Sequence, residues 1–369
     1  GRIPVANLLL FNMKMDTDDG VLGFTTDWVN ELAGHFDKVF VITHTAGRIQ
    51  VRENVRVFSV GREKGYSELR RALEFYRLLL GVLRHHQIDY CFIHMIQIFA
   101  VMAAPVLKCY GIPMTMWYGH QATPFSLHLA HALVDKVVTS TESGFQIPSN
   151  KKVCVGQGIT EAKFPFRPFR ERNQPYMLVN VSRLSPSKNI HALIEAVALF
   201  TRRHGENSIK LYLIGDALND RDCSYKNSLQ EQVVRLGIST NVVFCGSVAH
   251  AKVCEYLTSC DLSTNLAPAE GSVDKAALEA MAIGIPVVLQ NRSFRDIFAA
   301  AGVQADRYIV PDIQPETLVS YFERHLLANA AQDHKQLLAL SQYIHCHHGL
   351  KGLASRIAKE IVAKPPVNL

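Results

Sequence analysis

Short apolar runs alternate with longer amphipathic stretches along the whole chain. In the first half, runs rich in Val, Ile, Leu and Phe predict strands at Ala6–Phe11, Val39–Thr43, Val55–Ser59, Tyr90–His94, Met114–Tyr118, Lys136–Thr139 and Lys152–Val155. Between them, apolar positions recur at helical spacing over Phe24–His35, Ser67–His86, Phe99–Tyr110 and Ser126–Val134. The segment Phe164 to Pro175 is rich in Pro and Arg and has no period, which predicts a linker. The second half repeats the alternation. Strands are expected at Tyr176–Val181, Lys210–Ile214, Val242–Cys245, Leu262–Thr264, Pro286–Leu289 and Arg307–Val310, with helices such as Ile190–Arg203 and Ser228–Leu236. The end reads as three helices, Pro315–Leu327, Asp333–His345 and Leu350–Val362. Strands that are apolar on both faces and separated by helices imply α/β architecture with parallel sheets.

Composition narrows the class. The 369 residues suffice for two domains, and 48% hydrophobic with 20% charged content describes a globular protein. The net charge of +6 suits anionic partners in general. Its Lys and Arg residues are scattered, without a basic tract interleaved with aromatics, so nucleic acid is excluded as a partner. None of the eight cysteines forms a Cys-x-x-Cys pair; they read as buried thiols of a reducing compartment. In His345-Cys346-His347-His348 adjacent residues cannot all face one tetrahedral ion, which predicts a polar turn instead of a metal site. The apolar run Cys91 to Leu107 is too short to cross a membrane and carries His94, Gln97 and Pro105. No signal-peptide pattern opens the chain, and the expected location is cytoplasmic.

Two segments carry chemistry. One reads Val181-Ser182-Arg183-Leu184-Ser185-Pro186-Ser187-Lys188, a strand end that offers two cations and runs into a helix. The other reads Gly271-Ser272-Val273-Asp274-Lys275-Ala276-Ala277-Leu278-Glu279-Ala280-Met281-Ala282 and continues into Gly284-Ile285-Pro286-Val287-Val288. It offers backbone N–H groups at a helix start and then a carboxylate. Cations and helix N-termini suit phosphates; a carboxylate suits a ribose diol.

Arginine followed by lysine in the first segment, with the "LEAMA-x-G-x-PVV" stretch of the second, resembles the donor site of family-four glycosyltransferases. These are retaining enzymes of the GT-B fold. The resemblance implies two Rossmann-like parallel-sheet domains facing across a cleft, with the C-terminal helix crossing back. The expected extents are 1–165 for an acceptor-side domain, 166–345 for a nucleotide-sugar domain and 346–369 for the returning helix. It further implies that Arg183 and Lys188 hold the diphosphate and stabilise it as it leaves. Glu279 matches the ribose-binding Glu. A second Glu normally stands eight positions upstream; here that position is Gly271, with Glu270 one residue off. Backbone donors over Gly271, Ser272, Val273, Asp274, Lys275 and Ala276 are the alternative sugar readers. Gly215, Gly246 and Val248, at strand-end turns, border the donor. On the acceptor side the resemblance points to the glycine loop with Gly20 and Gly23, and to His120 after Trp117-Tyr118-Gly119, a His expected at the transferred sugar.

The implied activity is retaining, metal-independent transfer of a hexosyl group from a nucleoside-diphosphate sugar, UDP before GDP, to an acceptor hydroxyl in cell-surface glycan or glycolipid synthesis. No cofactor is expected beyond that co-substrate. Asp16-Thr17-Asp18 and Asp220-Arg221-Asp222 are formal Asp-x-Asp pairs, expected to recur by chance. A sugar or lipid-linked acceptor is implied, and the helix at Ser67–His86, with Arg70, Arg71, Arg77 and Arg84, is a candidate for peripheral contact with an anionic membrane. A packed, solvated helix is the simpler expectation for it. Two rivals stay open: a nucleotide-sugar epimerase of the same fold, and a non-catalytic nucleotide-sugar-binding protein.

Overall fold

A computed structural model describes residues 6–363 apart from 20–21, 121, 169, 269, 271–272 and 328–329. The chain forms two compact units, one of Gly1–Gly158 with Leu350–Leu369 and one of Ile159–Gly349.

The first unit runs β1 (Asn7–Met15), α1 (Phe24–Ala33), β2 (Lys38–Ala46), β3 (Val55–Ser59), α2 (Glu68–His85), β4 (Tyr90–His94), α3 (Gln97–Cys109), β5 (Met114–Trp117), α4 (Phe125–Leu133), β6 (Lys136–Thr139) and β7 (Lys152–Cys154). The strands form one sheet in the order β3-β2-β1-β4-β5-β6-β7, with every pairing parallel. Both faces of β1 are buried. Leu9 and Phe11 face a core with Phe75 of α2 and Phe99 of α3, while Leu8 and Leu10 face Trp28 of α1. That alternation is the strand period of two.

The second unit runs β8 (Tyr176–Val181), α5 (Ile190–His204), β9 (Ile209–Ile214), α6 (Asp220–Arg235), β10 (Val242–Gly246), α7 (His250–Ser259), β11 (Leu262–Asn265), α8 (Lys275–Ile283), β12 (Val287–Leu289), α9 (Arg295–Ala300), α10 (Pro315–Leu326) and α11 (Ala330–His347). Its sheet has the order β10-β9-β8-β11-β12, again parallel. Helix α8 is buried from Ala277 to Ile283, so it reads as apolar all round except at Glu279.

The final helix, α12 (Leu350–Val362), packs in the first unit. Leu350, Leu353, Ala354, Ile357, Ala358 and Ile361 form one helical stripe in the core with Trp28. Each fully buried Leu or Ile there contributes about 1.5–3 kcal/mol. At its far end Lys136 meets Glu360 at 2.9 Å, and Arg356 donates to the Val155 carbonyl at 2.8 Å.

Several expectations are corrected. The Pro- and Arg-rich segment is anchored to the second unit and is not a free linker. Phe164 is fully buried; the Arg167 N–H donates to the Ile283 carbonyl at 2.8 Å, and its guanidinium reaches the Thr258 and Cys260 carbonyls at 2.7 Å. Those carbonyls close α7, where a cation meets the negative helix end. The expected strand Arg307–Val310 is a 3-10 turn at Ala305–Arg307 and a single bridge from Ile309 to Leu289. Tyr308 turns inward, stacked between Phe298 and His325 at 5.1 Å from each. The expected polar turn at His345 is the last turn of α11. All eight cysteines are free thiols, but only Cys91 and Cys260 are buried; Cys109, Cys154, Cys223 and Cys346 are exposed. Among the described residues no helix is long and apolar enough to cross a membrane.

Candidate functional site

In an open parallel sheet, ligands bind beyond the carboxyl ends of strands where the strand order reverses. In the second unit that point lies between β8 and β11. The loops leaving these two strands are the two segments singled out in the sequence, and direct contacts join them. Lys188 Nζ donates to Asp274 Oδ2 at 3.0 Å, and Asn189 Nδ2 donates to the Leu266 carbonyl at 3.0 Å.

Local backbone requirements explain how the loops reach each other. After β8 the Ser182 N–H donates to the Ile214 carbonyl at 3.0 Å, and the chain closes a 3-10 turn over Pro186–Lys188. Asn189 then adopts φ 51° and ψ 33°, a left-handed conformation that Asn tolerates better than most residues. Gly215 has φ +126°, and a Cβ there would lie 2.1 Å from the Ser182 carbonyl oxygen, so only glycine fits. Its N–H donates to the Gly246 carbonyl at 2.9 Å, which ties the ends of β9 and β10 beside the end of β8.

Each cation near this point faces a carboxylate. Asp274 caps α8, accepting from the Ala276 N–H at 3.0 Å, while its other oxygen takes Lys188. Burial pushes the Asp274 carboxyl up, yet the Lys188 ammonium and the capping N–H outweigh it and hold it below its ordinary value. Arg183 Nε lies 3.5 Å from Asp222 Oδ2, and Lys226 Nζ lies 2.7 Å from Asp216 Oδ1. The bond from Lys226 and that from the Ala217 N–H hold Asp216 below its ordinary value. Asp222, Asp216 and Lys226 were not expected in the site. Asp222 belongs to one of the formal Asp-x-Asp pairs, where it opens α6 and faces an arginine.

Glu279 lies one turn into α8 and is buried. His250 Nε2 stands 3.0 Å from its Oε1, with Lys275 Nζ at 3.9 Å. Val273 is buried and shares an apolar cluster with Val248, which is half-buried. Glu270 is exposed, and Gly271 and Ser272 lie outside the described residues. The second unit therefore brings together Arg183, Lys188, Asp274, Gly215 and Gly246 around one strand switch, with Val273, Lys275, Ala276 and Glu279 on or beside α8.

The remaining expected residues sit in the first unit, whose strand order reverses between β1 and β4. Gly20 lies outside the described residues. Gly23 precedes α1, and a Cβ on it would lie 2.4 Å from the Asp19 carbonyl oxygen. Asp16 accepts from the N–H groups of Asp18 and Arg48, and Asp19 pairs with Lys14. Among the described residues no three His, Cys, Asp or Glu side chains converge as a metal-ligand set. His94, at the end of β4, is buried and stacked on Trp28 at 4.5 Å. His120, past β5, is exposed; its Nδ1 accepts from the Ala122 N–H at 3.0 Å, which leaves Nε2 to carry the proton of the neutral ring.

Comparison with known proteins bears on the second unit's sequence and on the fold. Residues 163–337 match the family described as "Glycosyl transferases group 1". Over 171 residues the chain is 26% identical to the alpha-monoglucosyldiacylglycerol synthase of Streptococcus pneumoniae; the match covers 43% of this chain and 36% of that relative's length. Among solved structures, Anabaena HepE (Alr3699) in complex with UDP and glucose superposes with a TM-score of 0.74 at 16% identity, over 96% of this chain and 98% of that one. Sucrose-phosphate synthase of Thermosynechococcus elongatus gives a TM-score of 0.74 at 13% identity, again over 96% and 98%. At such identities these likenesses speak to the fold alone. Residues 163–337 are thus similar to the glycosyl transferases group 1 family, and the chain has the parallel α/β fold of the solved structures on which it superposes.

Proposed function

We propose that this protein is a retaining glycosyltransferase that moves a sugar from a nucleoside-diphosphate sugar, UDP before GDP, to an acceptor hydroxyl without a metal ion. The observation that carries this is the Lys188–Asp274 contact: a flexible cation held at 3.0 Å from the cap of α8, across the strand switch. A diphosphate entering there meets Lys188, Arg183 and the positive end of α8. Glu279 takes the ribose hydroxyls. The C1–O bond to the diphosphate breaks while the acceptor oxygen bonds C1 on the same face. The departing phosphate oxygen takes the acceptor proton. The protein supplies leaving-group stabilisation and orientation, with His120 at the transferred sugar. Because the two cations provide the countercharge, no metal or other cofactor is required. The preference for UDP draws support from HepE, solved with UDP and glucose.

The acceptor is a sugar or a lipid-linked hydroxyl, and the first unit offers an apolar face for the latter. Leu69 is 73% exposed, Leu73 63% and Phe125 83%, too much for core residues. Tyr76 of α2 donates to the Met102 carbonyl of α3, and Gln97 of α3 donates to Ser126 of α4, so these side chains lie on adjoining helices. Arg70, Arg71, Arg77 and Arg84 lie on the same helix as Leu69 and Leu73, with Arg77 paired to Glu74 at 2.8 Å, and such a helix suits the anionic inner face of a cell membrane reached from the cytoplasm. The similarity to a synthase named for a glucosyl diacylglycerol points the same way.

Labelled nucleotide sugars with and without acceptor test the proposal. Acceptor-dependent transfer in EDTA, with the donor's anomeric configuration retained by NMR, is expected. Sugar inversion without acceptor identifies an epimerase; binding with no turnover identifies a carrier protein. Co-sedimentation with anionic vesicles, lost on Leu69→Glu with Leu73→Glu, tests the membrane face.

A further inference from the structure

We infer that His250 is a positioning residue for nucleotide recognition: it fixes the Glu279 carboxylate so that the ribose diol meets a single, preset pair of oxygens. The inference rests on the proposed donor site and adds a residue to it.

Both partners break the pattern of the elements that carry them. Helix α7 turns Val253 and Leu257 into the core, and His250 stands three and seven positions before them, on the same stripe. An apolar residue there would extend the stripe. Helix α8 is buried throughout Ala277–Ile283, and Glu279 is the one charged side chain in that run. The two polar residues meet: His250 Nε2 to Glu279 Oε1 is 3.0 Å, with the side chains only 15% and 4% exposed. A buried pair of this kind is weak as a source of stability, since desolvation offsets the attraction and apolar replacements of similar volume often do as well. Its value lies in fixing geometry.

The geometry is well braced. Phe164, fully buried, sets its ring edge-on to the His250 imidazole at 5.4 Å and 68°. His250 opens α7, whose first turn is closed by the Lys252 N–H donating to the Ala249 carbonyl at 2.8 Å. The imidazole thus approaches Oε1 from one fixed side. A free glutamate carboxylate on three rotatable bonds samples several orientations, and these must be given up when a diol binds. Holding Oε1 in advance removes that loss. Lys275 Nζ, at 3.9 Å from the same oxygen, adds charge but lacks the fixed direction of a ring N–H.

Calorimetric titration of the full chain with UDP and with 2′-deoxy-UDP tests the assignment, using wild type, His250→Ala and His250→Gln. Gln places an N–H donor at similar reach. The wild type is expected to favour UDP over the deoxy nucleotide by about tenfold, the weight of a hydrogen bond to a charged group. His250→Ala should weaken UDP several-fold and bring the ratio toward one, and His250→Gln should restore part of it. If His250→Ala melts lower but keeps the wild-type ratio, His250 is only a strut between α7 and α8 and the inference is overturned. If the wild type binds UDP without distinguishing the deoxy nucleotide, the ribose role of Glu279 fails and the inference falls with it. If the wild type binds neither nucleotide, the proposed donor site itself is wrong.

Discussion

The two units share an architecture but furnish it differently. Each is a parallel sheet whose strand order reverses at one point, between β1 and β4 in the first and between β8 and β11 in the second. At the second, opposite charges meet across the loops, as in Lys188–Asp274, with a capped helix N-terminus beside them. At the first, the strand end is closed by rings: His94 stacks on Trp28, and Trp28 meets Trp117 edge-on at 4.8 Å. One reversal gathers charged side chains, whereas the other is packed with buried rings. The fold fixes where a ligand can sit, and the loop residues decide what it is.

Substitutions should separate the two regions. The largest effect is expected at Lys188→Ala, and next at Arg183→Ala, whose guanidinium is held less closely, at 3.5 Å from Asp222. By analogy with losing one preorganised donor, each should lower turnover by about a hundredfold or more, roughly 2.7–4 kcal/mol. Near-normal rates at saturating donor would remove the phosphate clamp. Glu279→Ala should weaken the whole donor and the free nucleoside diphosphate alike, by about tenfold. Glu270→Ala, if that exposed acid touches sugar, should spare diphosphate affinity and blur the choice among donor sugars. In the first unit His120→Ala should slow transfer several-fold with UDP affinity unchanged; a loss of UDP affinity would erase the proposed division of labour.

The smallest effect concerns pH. Asp274 is held below its ordinary value, so the stability it contributes is complete above its unfolded value of about 3.9 and is lost as pH falls through the lower folded value. Asp274→Asn keeps a good helix cap and removes the charge. Acid unfolding of this variant should be less steep below pH ~4 than that of the wild type. Identical acid limbs would mean that Lys188 does not hold Asp274 in solution.

Much of this was legible before any coordinates. The strand periods and the run from Leu278 to Val288 disclosed both sheets and α8, because apolar alternation and glycine punctuation are local signals. Arg183, Lys188 and Glu279 stood out by their resemblance to the donor site of family-four glycosyltransferases. Their partners did not. His250 lies far from Glu279 along the chain, and only the packing of α7 on α8 joins them. Asp222 looked like half of a chance Asp-x-Asp pair until α6 turned it toward Arg183. The arginine-rich segment passed for a linker because its hydrogen bonds go to the carbonyls that close α7, which no sequence period records. The segment Arg307–Val310 has a strand's composition, but Tyr308 is drawn into the core by two ring stacks and leaves one bridge where a ladder was expected.

Titration of UDP in EDTA into the wild type and into the Arg183→Ala, Lys188→Ala double variant bears on the metal-free cation clamp with the fewest intermediate assumptions. The wild type should bind with no metal present, and the double variant should lose about a hundredfold or more in affinity. No binding until manganese is added, or equal binding by the two proteins, would show that the second unit's cations are not what holds the diphosphate.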